Sequence, residues 1–274
     1  MSPNAELAPG VWAAELPPMP SVAGQALLLL QDPDTTADQL RAVIECDPAL
    51  TATVLRLANS ALFTLLKPVT TLKQAIILIG FLRLRSLIFT SVASRLRDAI
   101  PPEATEQRWL IWEHAIVTAL GARYLVEKRG EDWYEEAFIC GLLHDCGRLV
   151  LLGQKTDDYV DLMLQSGGAL PLPGPERQRI GIDHQQIGRM LLEQWNLGPL
   201  LAETAGAHHG TDLEASPHAV RLAPVVLTDR LFENASEDPI PAAARLGYKA
   251  EKLDELSLDV RRSIADGLSV LRGM

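Results

Sequence analysis

The chain has 274 residues. At a prior of roughly 150 per domain that makes one large domain or two small ones, long enough to bury a core without disulfides or a metal staple. Apolar residues at 47% with 22% charged exclude a disordered chain, and aromatics at 5% exclude a series of base-stacking platforms. The net charge is -10, with 8 acidic and 8 basic residues in 1–98 and 27 and 17 in 99–274, so all the excess acid is C-terminal. Attraction of the second segment to nucleic acid or to an anionic membrane needs clustered Lys and Arg; neither partner is expected, and a cationic ligand stays open.

Cys46, Cys140 and Cys146 form an odd set without paired-ligand spacing, which indicates neither a disulfide framework nor a zinc ribbon and fits a reducing cytosol. The opening MSPNAELAPG has no basic n-region, and the apolar run Ala75 to Leu82 is too short to span a bilayer before Arg83 and Arg85. A cytoplasmic protein is expected.

Residues 1–15 read as a flexible tail, and Leu16 to Pro20 (LPPMP) as an extended entry to the fold. Thr36 with Gln39 forms a capping-box pattern before the stripe Leu40, Val43, Ile44. Asp47 caps and Pro48 starts a helix carrying Leu50, Val54, Leu57 and Ala61, with a polar break at Asn59-Ser60. A loop is expected around Lys67-Pro68. Thr71 with Gln74 then opens a helix with Leu72, Ala75, Ile76 and Ile79 on one face, stopped by Gly80. A further helix runs from Leu82 to Arg97, and its basic row Arg83, Arg85, Arg95, Arg97 reads as a solvated face, with an acidic partner as the alternative. Pro101-Pro102 coincides with the change in charge balance and is read as a subdomain boundary. Beyond it lie a helix through Ala115, Ala119, Ala122 and Tyr124 to Val126, a second over Ala137 to Leu152 and a third over Gln185 to Trp195, with a Gly/Pro loop over Gly167 to Pro175. Leu253, Leu256, Val260, Ile264 and Leu268 keep helical spacing, for a helix packing on the bundle or on a second chain. Alternating runs between hairpin turns are almost absent, so the class is all-α, a multi-helix bundle.

All six histidines lie at or beyond residue 114: His114, His144, His184, His208, His209 and His218. His144-Asp145 sits in AFICGLLHDCGRLVLL, where an isolated carboxylate costs several kcal/mol unless it is paired or metal-bound. A divalent metal with nitrogen and oxygen ligands suits such a pair. Each residue also has a plainer reading. His114 and His184 read singly as core histidines, and His208-His209 as a helix end complementing the dipole. Asp229 reads as a surface carboxylate, His218 as a solvated loop residue and Cys146 as a small buried apolar group.

The order His114, His144-Asp145, Asp229 resembles the H...HD...D pattern of the HD superfamily of helical metal-dependent phosphohydrolases. His184 in DHQQIGRMLLEQWNLG and the His208-His209 pair look like the extra ligands of bimetallic HD-GYP enzymes. In the N-terminal half, LPPMPSVAGQALLLLQDPDTT, ECDPALTATVLRLANSALF and TLKQAIILIGFLRLRSL closely resemble the HDOD domain, the HD-related output domain of bacterial signalling proteins. Together the resemblances cover about 16–232.

The resemblance implies an HDOD domain over 16–235, with an N-terminal helical subdomain (16–100), an HD-like subdomain (101–235) and a C-terminal helical extension (236–274). It implies one ion held by His114, His144, Asp145 and Asp229, with Asp145 bridging to a second held by His184, His208 and His209; Fe, Mn, Ni or Zn would serve, as one or two ions. It implies a regulatory signalling module working through a signalling protein partner or a phosphorylated, nucleotide-like ligand, with a homodimer open. The alternative is a metal-dependent phosphohydrolase in which a hydroxide acidified by the metals attacks phosphorus, Asp145 is catalytic and Arg148 touches the phosphate. Two departures weigh against a cyclic-dinucleotide phosphodiesterase. GTDLEASPH after His209 lacks the GYP signature, and the lysine expected after HD-x-G is Arg148, which cannot readily give up a proton.

Overall fold

The computed structural model describes residues 9–59, 68–210, 216–232 and 237–271, with side chains from 12 to 265 of these. Every regular element among the described residues is helical, as the sequence pattern requires. No single helix among them is long and apolar enough to cross a membrane. Contacts divide the chain into two compact units, one formed by Met19–Arg95 with the segment from Ala265, the other by Met1–Pro18 with Leu96–Ile264.

The expected flexible tail over 1–15 is corrected where it is described. Pro9–Glu15 forms α1, with Trp12 only 1% exposed. The Lys155 ammonium lies 5.6 Å over the Trp12 ring, and Gln154 donates to the Glu15 carbonyl. Both partners belong to the same unit as α1, so a buried indole and a satisfied chain end fix a segment that composition alone marks as loose.

The unit of Met19–Arg95 contains α2 (Ser21–Leu29), α3 (Ala37–Ile44), α4 (Pro48–Ala58), α5 (Leu72–Ile79) and most of α6 (Phe81–Asp98). Its helix starts follow from the sequence. Thr36 and Gln39 close a reciprocal capping box, and Asp47 accepts from the Ala49 and Leu50 N–H groups at 3.1 Å with Pro48 in the first turn. Thr71 accepts from Gln74 N–H. Gly80 adopts φ 78° to end α5, a conformation open to glycine at little cost. Leu40, Ile44, Leu50, Val54, Ile76 and Ile79 are buried, each contributing about 1.5–3 kcal/mol. Asn59 ends α4 and clamps the Val69 backbone; Ser60, Ala61 and Lys67 lie outside the described residues.

The basic row on α6 is not a uniform solvated face. Arg95 pairs with the Asp47 carboxylate. Arg97 is buried, its guanidinium 4.6 Å and 4.5 Å from the ring centroids of Trp109 and Trp112, because a weakly hydrated guanidinium stacks on aromatic faces.

The second unit holds α1, the end of α6 and, after a 3₁₀ turn at Pro102–Ala104, α7 (Thr105–Lys128), α8 (Tyr134–Leu143), α9 (Cys146–Gln154), α10 (Thr156–Gln165), α11 (Pro173–Ile180), α12 (His184–Gln194), α13 (Pro199–Ala207), α14 (Ala219–Phe232), α15 (Ile240–Arg245) and α16 (Leu253–Leu271) as far as Ile264. The single helix expected over Ala137 to Leu152 is two, α8 and α9, broken at His144-Asp145. The loop expected over Gly167 to Pro175 ends early, since Pro173 occupies the first turn of α11, where its missing N–H costs nothing. Along α16, Leu256, Val260 and Ile264 are buried. The Lys128–Asp259 pair at 2.6 Å and Arg261 stacked 4.4 Å over Phe232 hold the part of α16 up to Ile264 on this unit.

Two close approaches set the frame of the site. At Gly141, a Cβ would lie 2.7 Å from Ala119 Cα, so α8 packs against α7 backbone to backbone. At Gly147, a Cβ would overlap the His184 carbonyl oxygen and lie 2.7 Å from Gly188 N, so α9 packs equally close to α12. These contacts bring the α8–α9 break to within side-chain reach of α7 on one side and α12 on the other.

Candidate metal centre

The break at His144-Asp145 is the geometric centre of the candidate site. His114 comes from the middle of α7, Asp229 from the last turns of α14, His184 from the first position of α12, His208 from the end of α13 and His209 from the residue after it. The structure brings together all seven residues expected as ligands. His114, His144, Asp145, His184, His208 and Asp229 are each 3% exposed or less. Read singly, these residues have ordinary core, helix-end or surface explanations; assembled, they form two groups able to hold an ion, His114, His144 and Asp229 in one, Asp145, His184, His208 and His209 in the other.

Asp145 connects the groups. Its Oδ2 lies 3.2 Å from His114 Nε2 and 3.5 Å from His144 Nε2. Its Oδ1 lies 3.3 Å from His184 Nε2 and 3.2 Å from His208 Nε2. Asp229 Oδ1 closes the first group at 3.3 Å from His114 Nε2.

The donor chemistry fits a divalent cation. His144 places Nδ1 2.6 Å from the Gly141 carbonyl, and His208 places Nδ1 3.1 Å from those of Thr204 and Ala205. A carbonyl only accepts, so each Nδ1 carries the proton and each Nε2 presents a lone pair. His184 turns Nδ1 to the Glu176 carboxylate at 2.6 Å. The Nε2 atoms of His184 and His208 then face each other at 3.3 Å, and those of His114 and His144 at 2.9 Å. Asp145 Oδ1, flanked by two of them, has no hydrogen-bond partner among the described residues. A buried oxygen left unbonded beside converging nitrogen lone pairs is stabilised by a cation in their midst.

The electrostatics agree. Burial pushes the His144 imidazole down to about 3. Burial and then the Arg148 charge hold His184 well below its ordinary value. At Asp145 burial favours the neutral acid, but Arg148 and the adjacent imidazoles outweigh it and hold the carboxyl well below the usual range. Asp229 is likewise lowered against its burial, by the His114 hydrogen bond. Neutral imidazoles beside ionised carboxylates are the forms that ligate metal. Cys146, pushed up to about 12 by burial, stays a thiol and behaves as the small buried group its context suggests.

Arg148 does not face outward. It is 1% exposed; Nε donates to Asp145 Oδ2 at 2.6 Å, and Nη1 to the Tyr159 hydroxyl, the Pro171 carbonyl and Glu176 Oε1. Its guanidinium thus holds the bridging carboxylate, while Nη2 lies 3.4 Å from His209 Nε2. His218 stands apart from the cluster, on α14's N-terminal side, 3.7 Å from Glu203.

Sequence reasoning passes over Glu176, Tyr159 and Glu237. Glu176 is wholly buried and pushed up to about 7 by burial, against the lowering effect of Arg148. Glu237 Oε1 lies 3.2 Å from His209 Nδ1 while Arg230 donates to its Oε2. None stands at a fixed spacing from a ligand, so no local pattern flags them.

The helical bundle, with histidines and aspartates converging on the His144-Asp145 break, has the arrangement that the resemblance of the sequence implies. The HDOD domain family model matches residues 16–211, and the chain belongs to that family. An uncharacterized protein of Treponema pallidum (strain Nichols) is 26% identical over 207 residues, 75% of this chain and 39% of that protein; the chain spans well under half the length of that relative. Among solved structures, an HDOD domain protein of unknown function from Geobacter sulfurreducens superposes with a TM-score of 0.71 at 24% identity, over 93% of this chain and 96% of that one. A candidate phosphohydrolase from Shewanella amazonensis SB2B gives 0.71 at 23%, over 97% of each chain. At these identities the likeness carries the fold.

Proposed function

We propose that this chain is a metal-holding regulatory module, which binds one or two divalent ions at the His/Asp centre and acts in the cytoplasm by engaging a signalling protein or a phosphorylated, nucleotide-like ligand. The observation that carries the reading is Asp145, with one carboxylate oxygen turned to each histidine group. His114, His144, Asp145 and Asp229 hold one ion; Asp145, His184, His208 and His209 hold the other. Fe, Mn, Ni and Zn all accept such imidazole and carboxylate donors. When bound, the ions supply positive charge that offsets the buried carboxylates and Lewis acidity toward a phosphoryl oxygen.

Binding is favoured over turnover by the burial of the ligands and by Arg148, which commits Nε to Asp145 and Nη1 to Tyr159, Pro171 and Glu176 and turns Nη2 to His209 Nε2 at 3.4 Å. Acting on a phosphate through Nε or Nη1 would require this guanidinium to leave buried partners, a step that costs several kcal/mol. The retained donor set favours a second reading, a metal-dependent phosphohydrolase with Asp145 at its centre.

The test is elemental analysis of the purified chain after loading with Mn, Fe, Ni or Zn, beside the Asp145→Asn variant and with bis(p-nitrophenyl) phosphate as a phosphodiester probe. The expected result is one or two equivalents bound by the natural sequence, lost in Asp145→Asn, without turnover. Turnover that disappears in the variant would establish the phosphohydrolase instead. No metal under any loading would overturn both.

A further inference from the structure

We propose that Glu176 is the positioning residue that presets His184 as an Nε2 ligand; this rests on the metal-holding reading. The need for such a residue follows from where the histidines sit on their helices. His144 and His208 each close a helix, and their Nδ1 atoms reach carbonyls of the turn before them, Gly141 for one, Thr204 and Ala205 for the other. His184 occupies the first position of α12, after the cap Asp183. No helical turn precedes it, so its own helix offers no carbonyl to fix the ring. An imidazole left without that support can carry its proton on either nitrogen and rotate.

Glu176 fills the gap from α11. The chain turns back through Gly181, at φ 89°, and returns His184 to the carboxylate. Glu176 Oε2 accepts the His184 backbone N–H at 2.8 Å and lies 2.6 Å from Nδ1. One oxygen therefore fixes both the start of α12 and the orientation of the ring. The other oxygen is held by the Tyr159 hydroxyl at 2.7 Å and by Arg148 at 3.2 Å, so the carboxylate itself cannot swing. With Nδ1 committed, Nε2 points to Asp145 Oδ1 and His208 Nε2, both at 3.3 Å. Arg148 links the arrangement to the bridging carboxylate, since the same guanidinium bonds Asp145. A carboxylate behind a metal-ligating histidine fixes its tautomer and raises its basicity, and loss of such a group costs about 10–100-fold in metal affinity.

The experiment is a Mn(II) titration, by chelator competition, of the full chain and of Glu176→Gln, His184→Ala and the double variant. Glu176→Gln keeps the volume of the side chain but replaces one of its two acceptor oxygens by a donor amide, so it cannot accept from both His184 and the Arg148–Tyr159 side; its thermal melt reports whether the fold is intact. The expected result is that Glu176→Gln weakens one Mn(II) equivalent by about 10–100-fold, leaving the equivalent at His114, His144 and Asp229 in place. Because the effect runs through His184, the double variant should bind no worse than His184→Ala alone. Unchanged affinity in Glu176→Gln, equal weakening of both equivalents, or additive losses in the double variant would each overturn the assignment. If the natural chain takes up no Mn(II), the metal-holding reading fails first and the assignment falls with it; two equivalents in the natural chain with no effect of Glu176→Gln defeat the assignment alone.

Discussion

Gly147 lies directly against the backbone of His184, so that the smallest side chain at 147 would overlap the His184 carbonyl oxygen. The contact sets the distance between the Asp145 break and the start of α12. Gly147→Ala has no flexible atom to displace, and the helices must part. Overpacking of this kind costs about 1–3 kcal/mol. The expected outcome is a lower urea midpoint, together with weakened binding of the equivalent that depends on His184; an alanine variant with unchanged midpoint would contradict this close packing.

Arg148 is expected to be a stability residue. It is the cation between Asp145 and Glu176 in a site closed to solvent. Arg148→Met fills similar volume but leaves two buried carboxylates without it, and removing one partner of a buried pair costs about 3–5 kcal/mol. Chemical denaturation checks this. If the variant keeps its stability and loses only binding of a phosphorylated ligand, the guanidinium serves the ligand instead.

These two residues show what the sequence could and could not convey. The caps at Thr36, Asp47 and Thr71 are legible because a helix start is decided by residues within one turn of it. The histidines and Asp229 are legible through the order along the chain that resembles the HD superfamily, since no spacing rule joins α7 to α14. Glu176 is illegible on both counts: its partners His184, Tyr159 and Arg148 come from three helices, and its neighbours Arg177 and Arg179 mark an ordinary solvated turn. The α8–α9 break escapes because AFICGLLHDCGRLVLL is apolar on both sides of His144-Asp145 and buried along its whole length, and periodicity cannot place an interruption inside a segment buried on every side. Trp12 similarly needed its tertiary partner Lys155 before α1 made sense.

Thiol chemistry should separate the three cysteines. Cys46 is exposed, whereas Cys140 and Cys146 are buried, and Cys146 is further held as the thiol by burial. Reaction follows the accessible thiolate. Iodoacetamide at pH 8 should therefore label Cys46 in the folded chain, with Cys140 and Cys146 reacting only after denaturation. Peptide mapping that finds Cys146 labelled in the native protein would show that the α8–α9 break opens to solvent.

Metal removal should lower stability without abolishing the fold. The bundle has apolar cores in both units, among them Leu40, Ile44 and Val54 in one and Ile111, Leu125 and Leu191 in the other, none of which depends on the His/Asp centre. An ion that binds only the folded chain adds stability by mass action, about 2.7 kcal/mol when free metal is a hundredfold above its dissociation constant. Melts of Mn(II)-loaded protein with and without a chelator should differ, the chelated sample melting lower but still cooperatively. Asp145→Asn should show no such difference, because the carboxylate shared by the two histidine groups is the part of the site that both ions need. A chelator shift that survives in Asp145→Asn would place the stabilising metal elsewhere in the chain.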